Sequence, residues 1–341
     1  MAEQKKKSSW EIPPPGPGTI SGFFVAWVFV AAIIGLTLVL MGIGKGPLPL
    51  RVVAYDISLE GIAPGEVETI LAATTPWVER AGAGSDILRK VMEGKLDASK
   101  AAEELRIEAQ EVGRLIREPR VLAEKVMRGE LTSKEAAGRL GVKTEEMESY
   151  AAAELERLTT AIRQTNPMVL LLQGTSDDLT KKLALKLEVK EENVVSEGSS
   201  AILSKYSVER PEGEGTALIR YGKKGKFGVV SVDLREAAAG AGPPSLEKAV
   251  DVAKVEFGET PHAILALVNG VPPAPPSGYV NAPIAIPGEE GVASRWHAFI
   301  PETIEDNLKE CYVPAENKAI EDYSDKLPIV AHFVFRKKDF E

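Results

Sequence analysis

Three regimes of hydrophobic patterning follow one another along the chain. The first is an apolar run, "GFFVAWVFVAAIIGLTLVLMGIG" from Gly22 to Gly44, set inside a stretch between Glu11 and Lys45 that holds no charged residue. A helix rises ~1.5 Å per residue against a hydrocarbon layer of ~30 Å, so about 20 such residues cross it. The pattern predicts a transmembrane helix over 20–44. Its length exceeds the ~7–15 residues of a secretory signal core, and no small-x-small cleavage site precedes "KGPLPLR", which favours a retained anchor. Lys5, Lys6 and Lys7 precede the span, while Lys45 and Arg51 follow it; this slight bias places the N-terminus in the cytoplasm and the rest of the chain outside. Ahead of the span, "WEIPPPGPG" from Trp10 reads as an extended, proline-stiffened arm over 1–19.

The second regime, 45–84, starts with the alternation of Val53, Tyr55, Ile57 and Leu59 and continues through a Pro-Gly start into a helix from about Pro64 to Ala73. This strand-turn-helix is similar to the opening of the small polypeptide-transport-associated domains. From 85 to 165 the period becomes helical and the chain repeats itself at an offset of 35 residues: Val91, Met92, Gly94, Leu96, Ala101, Ala102, Leu105 and Glu111 recur as Val126, Met127, Gly129, Leu131, Ala136, Ala137, Leu140 and Glu146. Asp97 is placed to cap a helix in the first copy, and Thr132 with Glu135 forms a capping box in the second. "RGELTSKEAAGRLGVKTEEMESY" resembles the helix-turn-helix of transcription regulators and sigma-like factors. Their reading helix needs Arg, Lys, Asn or Gln at its start. Here Thr144, Glu145, Glu146, Met147 and Glu148 stand there, and Asp86 to Arg157 holds 14 basic against 16 acidic residues. The expectation is a tandem helical packing unit, with no nucleic acid as partner.

The third regime, 166–341, alternates β and α patterns. "MVLLLQ" reads as a buried strand, "SDDLTKKLALKLEV" as a helix, "SAILSKYSV" as a strand, and "GTALIRYGKKGKFGVVSVDL" as a hairpin turning at Gly222 to Gly225. A helix from about Ser245 to Val255, a strand "HAILALVNG" and a last strand from Pro328 to Phe335 complete the region. A long proline-rich loop spans 270–291. The fold class expected is a single N-terminal transmembrane helix, then an all-α tandem-repeat region, then an α/β-sandwich domain.

Composition narrows the chemistry. The 50 acidic and 41 basic residues leave a net charge of −9, which disfavours nonspecific attraction to nucleic acid or anionic lipid. A single cysteine, Cys311, excludes an intramolecular disulfide and a thiolate-rich metal site. His262, His297 and His332 are each isolated, with no second ligand at local metal spacing, so no metal, cofactor or catalytic residue is expected. Lys223, Lys224 and Lys226 in "GKKGKFG" form the one basic glycine-rich stretch, a hairpin turn that could touch an anion or lipid headgroup. Candidate interface residues are Trp10, Phe23, Phe24, Trp27, Ala31 and Gly35 in the arm and span, and Arg295, Trp296 and His297 in the aromatic-cationic "SRWHAF".

The sequence therefore predicts a non-catalytic single-pass accessory or scaffold subunit of a larger membrane complex, whose partners are other membrane subunits and the bilayer, with no small-molecule substrate. A membrane-tethered regulator and an anchored envelope enzyme are the alternatives.

Overall fold

The computed structural model describes residues 47–57, 70, 72, 75–221, 225–235, 246–268, 273–285, 295–314, 328–336 and 339. The expected arm and span, 1–44, lie outside them.

Strand β1 (Leu48–Asp56) alternates as its sequence suggests, with Leu50, Val52 and Ala54 on one buried face and Val53 and Tyr55 on the other, followed by buried Ile57. It is the centre of a six-stranded sheet. β1 pairs in parallel with β2 (Val169–Gln173), a short run buried at every position, and antiparallel with β12 (Ile329–Phe335). β3 (Val194–Glu197) and β4 (Ser200–Ser204) extend the β2 side, and β11 (Leu308–Tyr312) closes the other, in the order β11-β12-β1-β2-β4-β3. The second sheet runs β5 (Val208–Glu209), β6 (Thr216–Tyr221), β7 (Gly225–Asp233), β8 (His262–Leu267), β10 (Trp296–Pro301) and β9 (Tyr279–Asn281). Here the central parallel pair is β7 and β8. Every other pairing in both sheets is antiparallel. The two sheets thus share one plan, and β1 and β7 hold equivalent places in it.

The inner faces pack against each other through Leu50, Val52, Leu171, Ile219, Phe227, Leu265, Trp296 and Phe333. Helices cover both outer faces. On the first sheet lie α6 (Thr144–Thr165), through Leu158 and Ile162, and α7 (Asp177–Lys186), through Leu179 and Leu183. On the second lies α8 (Leu246–Phe257), through Ala249, Val250, Ala253 and Phe257. A strand buried on both faces reads as a continuous apolar run, which is why "VLLLQ" and "HAILAL" show no alternation.

Between β1 and β2 the chain inserts its helices: α1 (Trp77–Ala81), α2 (Ser85–Met92), α3 (Ala98–Leu105), α4 (Ala109–Met127), α5 (Ser133–Leu140) and then α6. The Asp97 carboxylate accepts from Ser99 N at 2.8 Å, and Thr132 and Glu135 cap each other. Gly94 and Gly129 turn the chain at φ +72° and +76°, a region glycine enters without strain. Pro119 lies within α4 and has no N–H for the Leu115 carbonyl four residues back. The indole Nε1 of Trp77 donates to that carbonyl instead, at 2.9 Å. Fully buried Glu154 on α6 is held by Arg120 of α4 at 3.3 Å and by Arg157.

This architecture corrects the expected fold class. The helices do not form an all-α repeat region standing before a separate sandwich; they are the crossover of one parallel strand pair, and β1 belongs to the sheet that β2 and β12 complete. Pairing across so many residues leaves no local trace in β1, whose own pattern says only that both its faces are covered. Among the described residues no helix is long and apolar enough to cross a membrane; the expected span, and the single-pass architecture and cytoplasmic and extracytoplasmic placement drawn from it, rest on residues outside them. The loop 270–291, expected without structure, supplies edge strand β9 and a bridge from Ala285 to Tyr312 in its described part.

Candidate functional site

Parallel strands send their carboxyl ends to the same edge of a sheet, and ligand sites form in the crevice beyond such ends. β1 ends at Asp56, β2 at Gln173, β7 at Asp233 and β8 at Leu267. Because the two sheets share one plan, Asp56 and Asp233 are equivalents, each closing an apolar strand: "VVAYD" and "VVSVD".

The two strand ends meet across the sandwich. Asp56 is 2% exposed, and its Oδ2 lies 3.2 Å from the guanidinium of Arg235. Arg235 follows β7 by two residues. Its Nε donates to Asp233 Oδ1 and Oδ2 at 2.9 and 3.0 Å, and its backbone N–H donates to the same Oδ1 at 3.0 Å. A second guanidinium, Arg295, sits just before β10; its N–H group approaches Asp56 Oδ2 to 3.9 Å while 42% of the side chain stays open to solvent. Two carboxylates and two guanidinium groups therefore balance in charge at the seam between the sheets.

Gln173 ties the same seam one step further along. Its Nε2 donates to Ser231 Oγ on β7 at 2.7 Å, and its Oε1 accepts from Ser200 Oγ on β4 at 2.7 Å. With its Oγ lone pair taken by Gln173, Ser231 has its own hydroxyl proton to donate. Behind these groups Arg128, at the end of α4, is buried and donates to the Ile57 and Gly174 carbonyls. Those carbonyls belong to the loops leaving β1 and β2, so the helical insertion braces the seam. Ser176 Oγ returns a bond to the Arg128 carbonyl at 2.8 Å.

Beside Asp233 opens a cleft of about 560 Å³, bordered by Gln173, Glu197, Ser200, Ser231, Asp233 and Lys248. Gly215 forms part of its wall at φ +65°, and a Cβ there would come within 2.6 Å of the Ser231 carbonyl. Glu197 accepts from Gly215 N at 2.8 Å and fixes that wall. A second hollow of about 350 Å³, at the opposite end of β2, is bordered by Arg163, Lys186 and Lys205. It lies against helix carboxyl ends, whose dipoles disfavour an anion.

Among the described residues singled out from sequence, Arg295 alone reaches the seam. Trp296 packs in the core between the sheets, and His297 is buried on the other face of β10. Lys226 on β7 pairs with Glu209 of β5 at 3.1 Å, and Arg220 on β6 binds the same carboxylate. Lys223 and Lys224 lie outside the described residues, as do Trp10, Phe23, Phe24, Trp27, Ala31 and Gly35. The three histidines stay apart. His262 binds Tyr279 and the Thr260 carbonyl, and His332 lies 3.1 Å from Glu310. Among the described residues no three His, Cys, Asp or Glu side chains gather to hold a metal ion. Asp56, Gln173, Ser231, Asp233 and Arg235 were missed. For Asp56, Gln173 and Asp233 the signal was a polar residue closing a largely apolar strand, in "VVAYD", "VLLLQ" and "VVSVD"; Ser231 and Arg235 carried none.

Neither a protein-family model nor a characterised protein sequence matches the chain. Among solved structures, TDP2 from Caenorhabditis elegans is similar at 13% identity over 74% of this chain and 94% of that one, with a TM-score of 0.36. An endonuclease/exonuclease/phosphatase family protein from Bacteroides thetaiotaomicron is similar at 10% identity over 85% and 98%, with a TM-score of 0.37. An AP endonuclease from Archaeoglobus fulgidus is similar at 12% identity over 52% and 93%, with a TM-score of 0.36. At these scores no residue role passes from those proteins to this chain. The expectation of a non-catalytic membrane scaffold, with membrane subunits as partners and nucleic acid excluded, did not foresee this polar cleft at the strand ends; it is corrected at that point and taken no further.

Proposed function

We propose that the chain is an enzyme acting on a phosphoester at the seam where the carboxyl ends of its parallel strands meet. The observation that supports this is the meeting of Asp56 and Asp233, from equivalent strand ends of the two sheets, on Arg235, with Arg295 near Asp56 and with Asp233 bordering the cleft. A guanidinium fork matches the oxygens of a phosphate, and Arg295 is the partly open one, held near Asp56 yet beyond hydrogen-bond range. In this reading Arg295 neutralises the phosphoryl oxygens and the Ser231 hydroxyl, keeping its proton, donates a hydrogen bond to one of them. Asp233, whose side chain is 27% exposed, orients the attacking water. The water oxygen bonds to phosphorus as the ester P–O bond breaks, and its proton passes through Asp233 to the leaving oxygen.

The test is turnover of bis(p-nitrophenyl) phosphate, p-nitrophenyl phosphate and end-labelled single- and double-stranded DNA by the purified chain. Hydrolysis of at least one is expected, reduced on the order of 100-fold in Arg295→Ala and in Asp233→Asn. Folded protein that turns over none of them overturns the reading. Full activity in Arg295→Ala moves the site elsewhere.

A further inference from the structure

We infer that Arg235 is a tethered cation standing where two converging carboxylates would otherwise hold a divalent metal ion. Asp56 and Asp233 come from opposite sheets to a single point, and two carboxylates so placed need a positive charge between them or one must take up a proton. A shared magnesium or manganese ion is one solution, since such ions are held by one or two carboxylates and completed by water or phosphate oxygens. This chain uses another. The Arg235 guanidinium donates to both oxygens of Asp233 through Nε and binds Asp56 Oδ2 through a terminal nitrogen.

Three features make the guanidinium a fixture rather than a passing partner. Its side chain is only 10% exposed, so the charge sits where screening by solvent is weak. Its own backbone N–H bonds the Asp233 carboxylate two residues back, which locks the turn that carries it. Leu234, between the two, hydrogen-bonds the Leu267 carbonyl at 2.8 Å and is buried, so the turn is anchored to β8. One guanidinium thus reaches Asp233 Oδ1 and Oδ2 and Asp56 Oδ2 at once, and fills the position between the carboxylates that a shared ion would take. With Arg295 alongside, the two negative charges are matched before any ion arrives.

The inference stands on side-chain geometry alone. Only its consequence for turnover, insensitivity to EDTA, rests on the proposed function. It is tested without substrate, by measuring Mn²⁺ binding to the full chain by calorimetry and by the electron-paramagnetic signal of free Mn²⁺. Native protein is expected to bind none at this seam up to about 1 mM, the weak end of protein affinities for hard divalent ions. Arg235→Ala should gain one Mn²⁺ and a melting temperature that rises with added Mn²⁺; Asp56→Asn in that background should abolish both, and Arg235→Lys should bind none. If Arg235→Ala does not fold, Arg235→Gln replaces it with the same expectation. Native protein that binds one Mn²⁺ lost on Asp56→Asn overturns the inference, as does a folded, charge-deleted variant that binds none. Neither result depends on turnover, so a failure here and a failure of the phosphoester reading remain separate.

Discussion

Trp77 donates its indole N–H to the carbonyl of Leu115 at 2.9 Å, and that carbonyl is the one that Pro119 leaves without its helical partner. A proline inside a helix removes one N–H, and a buried carbonyl left bare costs about 1–3 kcal/mol. Trp77 sits on the short helix α1, 38 residues away, and is buried. It therefore serves as both a core side chain and a repair to α4. Trp77→Phe should lower stability by about 1–3 kcal/mol in urea unfolding, beyond what lost volume explains. Because Pro119→Ala restores a donor to Leu115, the double variant should recover part of that loss. Strict additivity of the two substitutions would contradict the pairing.

A tighter contact fixes α8 on the second sheet. At Gly228 on β7, an added Cβ would lie 2.5 Å from the ring of Phe257, the last residue of α8. The ring is buried and cannot swing away freely, so the close approach requires glycine. Gly228→Ala should destabilise the chain by about 1–3 kcal/mol, the range for overpacking a filled core. A paired Phe257→Leu should relieve it. Equal melting temperatures for native and Gly228→Ala protein would refute the contact.

His262 gives the fold a dependence on pH. Its Nδ1–H donates to the Thr260 carbonyl at 2.8 Å, and Nε2 accepts from the Tyr279 hydroxyl at 2.6 Å, an arrangement that suits the neutral ring. Burial holds its pKa below the ordinary 6.5, against the opposing pull of the Thr260 carbonyl. Between the lowered folded value and the unfolded value the unfolded chain carries a proton that the native state lacks. Stability from this site is therefore complete above about pH 6.5 and falls as pH drops through the window below it. Urea midpoints measured between about pH 7.5 and about pH 5.5 should fall more in native protein than in His262→Gln. Parallel curves would rule the site out.

Cys311 should be inert in the native state. It is buried on β11, and burial pushes its thiol up to about 12, so the reactive thiolate is scarce at neutral pH. Iodoacetamide labelling near pH 8 should be slower than in urea by at least about 100-fold. Rapid labelling of folded protein would contradict the burial.

Much of the local structure was legible because its causes are local. Asp97 and Thr132 cap helices that begin at Ala98 and Ser133, each within a few residues of the N–H it accepts from. The alternation of Val53, Tyr55, Ile57 and Leu59 and the apolar run "MVLLLQ" announced two strands, although the first runs earlier than the alternation, from Leu48 to Asp56. Arg295 stood out by its aromatic company, although its neighbours Trp296 and His297 serve packing. The seam was not legible, since Asp56 and Arg235 are 179 residues apart and neither is unusual where it stands.

What the sequence determined by itself was where helices start, where strands run, and that a single cysteine and scattered histidines build no local metal motif. Hydrogen bonds within a turn and burial of alternate side chains act over a few residues, so they leave a readable period. Tertiary structure alone decided that β1 pairs with β2 across the helical insertion, and that two sheets of one plan face each other. It also decided that strand-ending aspartates from both meet on one guanidinium. Those contacts depend on which distant surfaces fit and which charges find balance on burial, and no short stretch of the chain contains both partners.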